Sequence, residues 1–305
     1  MKRLVFQLLL ACVPVVFMSC EKSDGERPFS LREQITVDGL ERTFLLDLPS
    51  GYYDSSGFDL VIALHGTGGS GEQCKKDYGW SQKAAQAGFI VAYPDGVRSR
   101  GALGIRTWNA GGCCGYAEEN RIDDVRFIST LIDDLVARYR VNPKRVYVTG
   151  MSNGAMLSYR LACEIPGKIA AIAPVSGTLI TTAPCTPSRP VPVLHIHSAL
   201  DTIVPYRGGI GIGGYYFPPA DSALRVWAGV DGCAQAPETL TDNEKYTAVR
   251  WKDCREGTTV IRYLTKDGGH SWPGGPKSRP GADAPSTAIN ATNVIWDFFH
   301  HYTLP

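Results

Sequence analysis

The chain has 305 residues, and its 31 Lys+Arg against 30 Asp+Glu leave a formal net charge of +1. At about 100–200 residues per domain this length allows two domains or one large α/β domain, and the absence of a strong net field argues against nucleic acid or an anionic membrane surface as partner. Aromatic residues at 10% and charged residues at 20% exclude a disordered or low-complexity chain, so a globular protein with a neutral or polymeric substrate is expected.

Lys2 and Arg3 precede an apolar stretch at 4–17 that is shorter than the roughly 20 residues needed to cross a bilayer. Residues 1–19 therefore read as a signal segment. Its end, Phe17-Met18-Ser19-Cys20, resembles a bacterial lipoprotein box in which Cys20 is lipidated and becomes the new N-terminus. Leu9-Leu10-Ala11-Cys12 has the same form, but cutting there would leave an exposed apolar stub at 13–17. Residues 20–30 then form a tether and 31–305 the folded domain. The expected location is a bacterial outer membrane or cell surface, reached only through the lipid, with soluble secretion as the alternative.

Residues 35–48 alternate in polarity around Asp38-Gly39, a strong hairpin turn signal. Short, nearly continuous apolar runs recur at 60–64, 89–93, 146–148, 169–175 and 193–196, the pattern of strands buried on both faces of a parallel sheet. Between them lie helical stretches, the clearest at 122–139, where Val125, Ile128, Ile132, Leu135 and Tyr139 make one apolar stripe. A helix at 221–230, a strand at 259–264 and a closing helix at 290–302, with Ile295, Phe298, Phe299 and Tyr302 turned inward, complete the chain. The fold class is α/β: a doubly wound, mostly parallel sheet with an N-terminal antiparallel hairpin.

In such sheets ligands gather at the carboxyl ends of the strands, which directs attention to the residues after each one. Gly150-Met151-Ser152-Asn153-Gly154 follows a strand and opens a helix, the required context of a G-x-S-x-G nucleophile elbow in an α/β-hydrolase. Glycines at 150 and 154 suit a turn that brings strand and helix backbones together. The second oxyanion donor is expected from His65-Gly66-Thr67-Gly68-Gly69: the Thr67 N–H first, Gly68 in reserve, with Asn153 N–H as partner. Asp201 closes the strand at 193–196, and His270 follows the strand at 259–264 on a glycine-rich loop able to swing an imidazole over Ser152. Ser152, Asp201 and His270 thus fall in the nucleophile, acid, base order of this fold. His195 and His197 lie one strand period apart and could serve a metal or the core; His65 is expected to brace its loop through a ring hydrogen bond.

With Cys12 and Cys20 set aside, seven cysteines remain, and an exported protein can oxidise them. Cys233 is expected to pair with Cys254, and Cys163 with Cys185; Cys74, Cys113 and Cys114 are left open, with at least one free. No C-x-x-C pair has matching histidines, so no metal site is expected.

Leu64-His65-Gly66, Gly150-Met151-Ser152-Asn153-Gly154, Asp201-Thr202-Ile203-Val204-Pro205-Tyr206 and Gly269-His270-Ser271-Trp272-Pro273-Gly274 together resemble the motifs of polyhydroxybutyrate-depolymerase-like esterases, which include the feruloyl and acetylxylan esterases of carbohydrate esterase family 1. Trp108-Asn109-Ala110-Gly111-Gly112-Cys113-Cys114 and Ile122-Asp123-Asp124-Val125 also look familial, and the likeness extends over about 43–302. The Gly-rich stretch at 208–214 departs from it. The resemblance implies carboxylic-ester hydrolysis through an acyl-enzyme without metal or organic cofactor. Trp108, Tyr206 and Trp272, with Tyr215 and Tyr216, lie on loops near these motifs, and at least two of the five are expected to line the cleft, where such rings can stack on an aromatic acyl group or a sugar. The expected substrate is a feruloylated or acetylated oligosaccharide from plant cell wall; the alternatives are a polyhydroxyalkanoate depolymerase and a catalytically inactive glycan-binding lipoprotein.

Overall fold

The computed structural model describes residues 29–305. The signal segment, the Cys20 lipidation site and most of the tether lie outside the described residues. In chain order the strands are β1 (Ser30–Val37), β2 (Leu40–Asp47), β3 (Phe58–Leu64), β4 (Ile90–Pro94), β5 (Val97–Arg98), β6 (Arg106–Thr107), β7 (Val141–Met151), β8 (Ala171–Val175), β9 (Val193–Ser198), β10 (Gly209–Ile210), β11 (Tyr216–Phe217), β12 (Glu238–Asp242), β13 (Tyr246–Trp251) and β14 (Val260–Thr265). The helices are α1 (Gly71–Asp77), α2 (Trp80–Ala87), α3 (Gly115–Glu119), α4 (Asp124–Arg138), α5 (Asn153–Glu164), α6 (Ala220–Val230) and α7 (Ala291–Phe299).

Ten strands form one sheet in the order β1-β2-β4-β3-β7-β8-β9-β14-β13-β12. The six central strands, β4 to β14 in that order, are mutually parallel. The expected N-terminal hairpin, β1-β2, pairs antiparallel from Ser30↔Asp47 to Val37↔Leu40 and joins the edge through β4. A second antiparallel hairpin, β12-β13, closes the other edge. Its outer strand left no clear mark in the sequence because β12 is an edge strand of polar, largely exposed residues, Glu-Thr-Leu-Thr-Asp.

Alternating residues of the central strands feed two cores, as period-two side chains must. Leu60, Ile62, Leu64, Val146 and Val148 join the side covered by α4, α5 and α6; Val61, Ala63, Tyr147, Ala171 and Ala173 join the side covered by α2 and α7. The α4 stripe read from the sequence is buried throughout, and Asp123 caps that helix by accepting the Arg126 N–H at 2.9 Å. The closing helix ends at Phe299, short of the expected 302, yet Tyr302 still packs on Phe298 with ring centroids 4.8 Å apart.

Asp124 opens α4 from inside the core. It is fully buried and receives Arg42 Nη2–H at 2.7 Å and the Asn109 N–H at 2.7 Å. The Arg42 guanidinium lies 3.8 Å from the centre of the Phe127 ring. Burial raises the Asp124 carboxyl above its usual range against the pull of Arg42. This pair ties β2, α4 and the segment after β6 into one rigid block beside the elbow.

Disulfides join Cys163 to Cys185 and Cys233 to Cys254, and Cys113 to its neighbour Cys114. Cys74 is a free thiol buried in the core.

Candidate active site

Because β3, β7, β9 and β14 run parallel in one sheet, the segments that follow them emerge at the same edge. Those segments carry Thr67, Ser152, Asp201 and His270 respectively.

Ser152 sits between β7 and α5 with φ +57° and ψ −121°, a backbone conformation that a non-glycine residue adopts only under constraint. The constraint is steric. A Cβ built on Gly154 would come within 2.6 Å of the carbonyl oxygens of Leu64 and His65, and one on Gly150 within 2.7 Å of the Gly154 backbone. Only glycine at both positions lets strand, turn and helix approach this closely. A Cβ on Gly66 would lie 3.2 Å from Ser152 Cβ, so the loop after β3 passes directly over the serine.

The donors on that loop sort themselves by what else they bond. Gly68 N–H is spent on Arg106 O at 2.8 Å and Gly69 N–H on Gly66 O at 3.0 Å. That leaves Thr67 N–H, which has no acceptor among the described residues, and removes Gly68 as a reserve. Asn153 N–H, at the first turn of α5, has no intrahelical acceptor either. His65 is buried, its Nδ1–H donating to Gly66 O at 2.7 Å while its Nε2 accepts the Gly96 N–H at 2.9 Å. Burial lowers its pKa to about 4, so the ring stays neutral and serves as the brace expected of it.

Asp201 is buried after β9 and its carboxylate is satisfied from every side. Oδ1 accepts the N–H groups of Ile203 and Val204, each at 2.9 Å, and Oδ2 accepts His270 Nδ1–H at 2.8 Å. Burial alone would raise its pKa; the hydrogen bonds from His197 and His270 outweigh it and hold the carboxyl below its usual range. With Nδ1–H committed to Asp201, neutral His270 carries its lone pair on Nε2, the nitrogen a general base needs.

The loop holding His270 is stapled rather than swinging. Asp283 Oδ2 accepts the His270 N–H at 2.7 Å, Ala284 O accepts the Gly269 N–H at 3.1 Å, and Ser198 Oγ donates to Gly268 O at 3.0 Å. Asp267 in turn accepts Thr287 N–H and Oγ1–H at 2.8 and 3.0 Å. Asp267 and Asp283 are site supports that the sequence reading missed, since 267 and 283 look like ordinary loop aspartates until the chain folds back.

Trp108, Tyr206 and Trp272 do not line a cleft as expected; all three rings are buried, each with its polar atom engaged. Trp108 is fully enclosed, its Nε1–H donating to His65 O at 2.9 Å. Its backbone is gripped by Asn153, whose Oδ1 accepts Trp108 N–H at 2.7 Å and whose Nδ2–H donates to Trp108 O at 2.9 Å. Trp108 is thus a strut between the loop of Thr67 and the residue after Ser152. Trp272 stacks on Tyr78 at 4.3 Å and donates to Thr292 Oγ1 at 3.0 Å. Tyr206 donates its hydroxyl to Asp221 and receives Arg262 Nη1–H at 2.7 Å.

The Gly-rich stretch forms a small ribbon, β10-β11, seated on the segment after Asp201 through Ile212 N–H to Ile203 O at 3.0 Å. Tyr215 anchors it by accepting the Gly115 N–H at 3.0 Å. Ile210, Ile212 and Tyr216 remain exposed, as does Leu200 beside Asp201.

Chemically, the arrangement offers an oriented imidazole, a constrained serine, two N–H groups without acceptors among the described residues on the serine's own turn and on the loop over it, and a buried carboxylate. A family model described as esterase PHB depolymerase matches residues 43–218, more than half of the chain. Feruloyl esterase B of Piromyces equi is 28% identical over 272 residues, covering 87% of this chain and 46% of that protein. The bifunctional acetylxylan esterase/xylanase XynS20E of Neocallimastix patriciarum is 28% identical over 250 residues, covering 80% and 31%. The chain therefore spans less than half the length of either. A probable feruloyl esterase C of Aspergillus clavatus is 28% identical over 284 residues, covering 90% of this chain and 88% of that one. Among solved structures, an acetyl xylan esterase from Aspergillus awamori shares the fold with a TM-score of 0.58 at 20% identity, covering 79% of this chain and 94% of that one.

Proposed function

The chain belongs to the esterase PHB depolymerase family, and on that premise we propose that it is a serine carboxylic-ester hydrolase in which Ser152 is the nucleophile, His270 the general base and Asp201 the acid that orients the base. The observation that carries this reading is the Asp201–His270 hydrogen bond of 2.8 Å at the same sheet edge as the constrained elbow of Ser152. His270 Nε2 takes the Ser152 proton as Oγ attacks the ester carbonyl, the imidazolium is stabilised by Asp201, and the proton passes to the leaving alcohol. Water then attacks the acyl-enzyme by the same route. Thr67 N–H and Asn153 N–H bind the oxyanion, and Trp108 and Asn153 keep those donors at fixed spacing.

The substrate we assign is a feruloylated or acetylated oligosaccharide. The names of the feruloyl and acetylxylan esterase relatives support that class. With Trp108, Tyr206 and Trp272 buried, the acyl or sugar contacts fall instead to the exposed Leu200, Ile210, Ile212 and Tyr216. The same apolar residues, with the family's description, favour polyester as a second reading. Hydrolysis of methyl ferulate and acetylated xylo-oligosaccharides faster than polyhydroxybutyrate is the expected result; the reverse order would move the assignment to polyester. We further propose export, which the three disulfides support, and anchoring through lipidated Cys20, which rests on the sequence of the leader alone. Cys20→Ala should release the protein from membranes, and a wild-type protein that is already soluble would refute the anchor.

A further inference from the structure

Behind Asp201 lies a row of polar groups that the reaction as described leaves unused. His195 and His197 point to the same side of β9, and both are buried, at 0% and 1% exposure. His197 Nε2 lies 2.9 Å from Val204 O and 3.3 Å from Asp201 Oδ2. His197 Nδ1 lies 3.1 Å from His195 Nε2, and His195 Nδ1 lies 2.9 Å from the Tyr159 hydroxyl.

With both rings neutral, the direction of every bond in this row follows from its Val204 end. A carbonyl oxygen only accepts, so His197 Nε2 must carry hydrogen; it donates to Val204 O at 2.9 Å and turns the same N–H edge toward Asp201 Oδ2, 3.3 Å away. Neutral His197 then accepts at Nδ1, which makes His195 Nε2 the donor and His195 Nδ1 the acceptor of the Tyr159 hydroxyl. Donor meets acceptor at each step. Burial, with His197 and Arg262 beside it, lowers the His195 pKa well below its usual value, consistent with a neutral ring.

We propose that His197 is a positioning residue for the proposed esterase reaction: held in one tautomer by His195 and Tyr159, it presents a second imidazole N–H to Asp201 Oδ2 and fixes the carboxylate that orients His270. The inference rests on the triad reading above. One imidazole N–H bonded to Oδ2 at 2.8 Å, a second imidazole nitrogen 3.3 Å from the same oxygen, and two backbone donors on Oδ1 hold the carboxylate against turning away from His270. The second imidazole beside Asp201 also limits how strongly its carboxylate pulls on His270.

The titratable and charged groups around the row come from several elements. Arg262 of β14 pairs in register with His195. Tyr206 meets His197 edge-on at 5.5 Å and is bonded to Arg262 and Asp221 of α6. Tyr159 of α5 stacks on Trp227 of α6 at 6.2 Å. None of these supplies a hydrogen bond to Asp201 in place of His197.

The test uses the full folded domain with a p-nitrophenyl ester. His197→Phe should lower kcat at least tenfold with KM changed less than twofold, and shift the acid limb of the kcat profile to higher pH by about half a unit or more, because Asp201 released from His197 binds the His270 imidazolium more strongly. His197→Gln, which restores an N–H donor, should recover much of kcat and return the limb. Tyr159→Phe keeps the ring but removes the donor to His195, and should shift the limb the same way by a smaller amount. Nitrogen-15 spectra of the histidine rings should show His195 and His197 both protonated at Nε2 only. A folded His197→Phe with kcat within threefold of the parent and an unmoved acid limb overturns the proposal, as does a spectrum with His197 protonated at Nδ1 alone. If His197→Phe does not fold, Tyr159→Phe and the spectrum decide by the same criteria. The spectrum needs no turnover, so failure of the esterase reading, seen as no Ser152-dependent hydrolysis by the parent, stays distinguishable from failure of this one.

Discussion

Asn153→Ala is the perturbation that most directly separates the structural and chemical duties of the elbow. The side chain lost makes two hydrogen bonds to the Trp108 backbone, accepting its N–H at 2.7 Å and donating to its carbonyl at 2.9 Å. Trp108 is fully buried, so its N–H is left without an acceptor, while its carbonyl keeps a weaker bond from Cys114 N–H at 3.3 Å. An orphaned buried donor costs about 1–3 kcal/mol and a weakened acceptor about 1 kcal/mol more, so a loss of about 2–4 kcal/mol is expected. For a domain of this size that is a fall in Tm of about 3–7 °C, measured by scanning calorimetry. Asn153→Asp divides the effects further: one oxygen can still accept the Trp108 N–H, but the other faces the Trp108 carbonyl, and a negative charge sits on the residue whose own N–H is assigned to the oxyanion. Its kcat should fall by about 10²–10³, comparable to losing an oxyanion donor, whereas KM stays close to the parent value. An alanine variant that melts within about 1 °C of the parent and retains its kcat would refute the strut.

Two further perturbations follow from buried charges. Arg42→Met strands Asp124 with no ion partner in the core and should cost about 3–5 kcal/mol by denaturant unfolding, and Asp124→Asn in the same chain should regain part of that loss; equal stability of Arg42→Met and the parent would show the pair to be dispensable. Asp231 is raised by burial to about 7, above its unfolded value of 3.8. A raised carboxyl pKa means the folded state holds the proton more tightly, so the stability it confers is complete below 3.8 and is lost as the pH rises through 7. Asp231→Asn, which can still accept the Val191 N–H now bonded at 3.1 Å, should therefore stabilise the protein at pH 8 by up to roughly 4 kcal/mol and give no gain at pH 4. A gain independent of pH would contradict the assignment.

What could be read from the sequence divides along a physical line. The elbow was legible because its signature is local: the G-x-S-x-G spacing, the 2.7 Å approach of Gly150 to the Gly154 backbone and the strand-turn-helix context lie within one short segment, although the 2.6 Å contacts on Gly154 come from Leu64 and His65. The parallel strands were legible because burial on both faces leaves continuous apolar runs. Rings on loops were misread for the opposite reason. Trp108, Tyr206 and Trp272 each follow or adjoin a motif, which says they are near the site but not which way the ring turns; each turned inward because a partner far along the chain, His65, Asp221 or Thr292, satisfies its polar atom. The roles of Asp124, Asp283 and the row from Tyr159 to Asp201 were hidden likewise, since they depend on segments brought together only by the fold. The polar edge hairpin β12-β13 has no buried face along most of β12 to print a pattern.

The central claim is that Ser152 is an activated nucleophile. Incubating the folded domain with a fluorophosphonate and mapping the adduct by mass spectrometry tests it without assuming a substrate. The label should fall on Ser152, and His270→Ala should slow labelling by several orders of magnitude while leaving Tm close to the parent value, because an unactivated serine hydroxyl is a weak nucleophile. Labelling of the parent no faster than of His270→Ala, or an adduct on any other residue, would contradict the account.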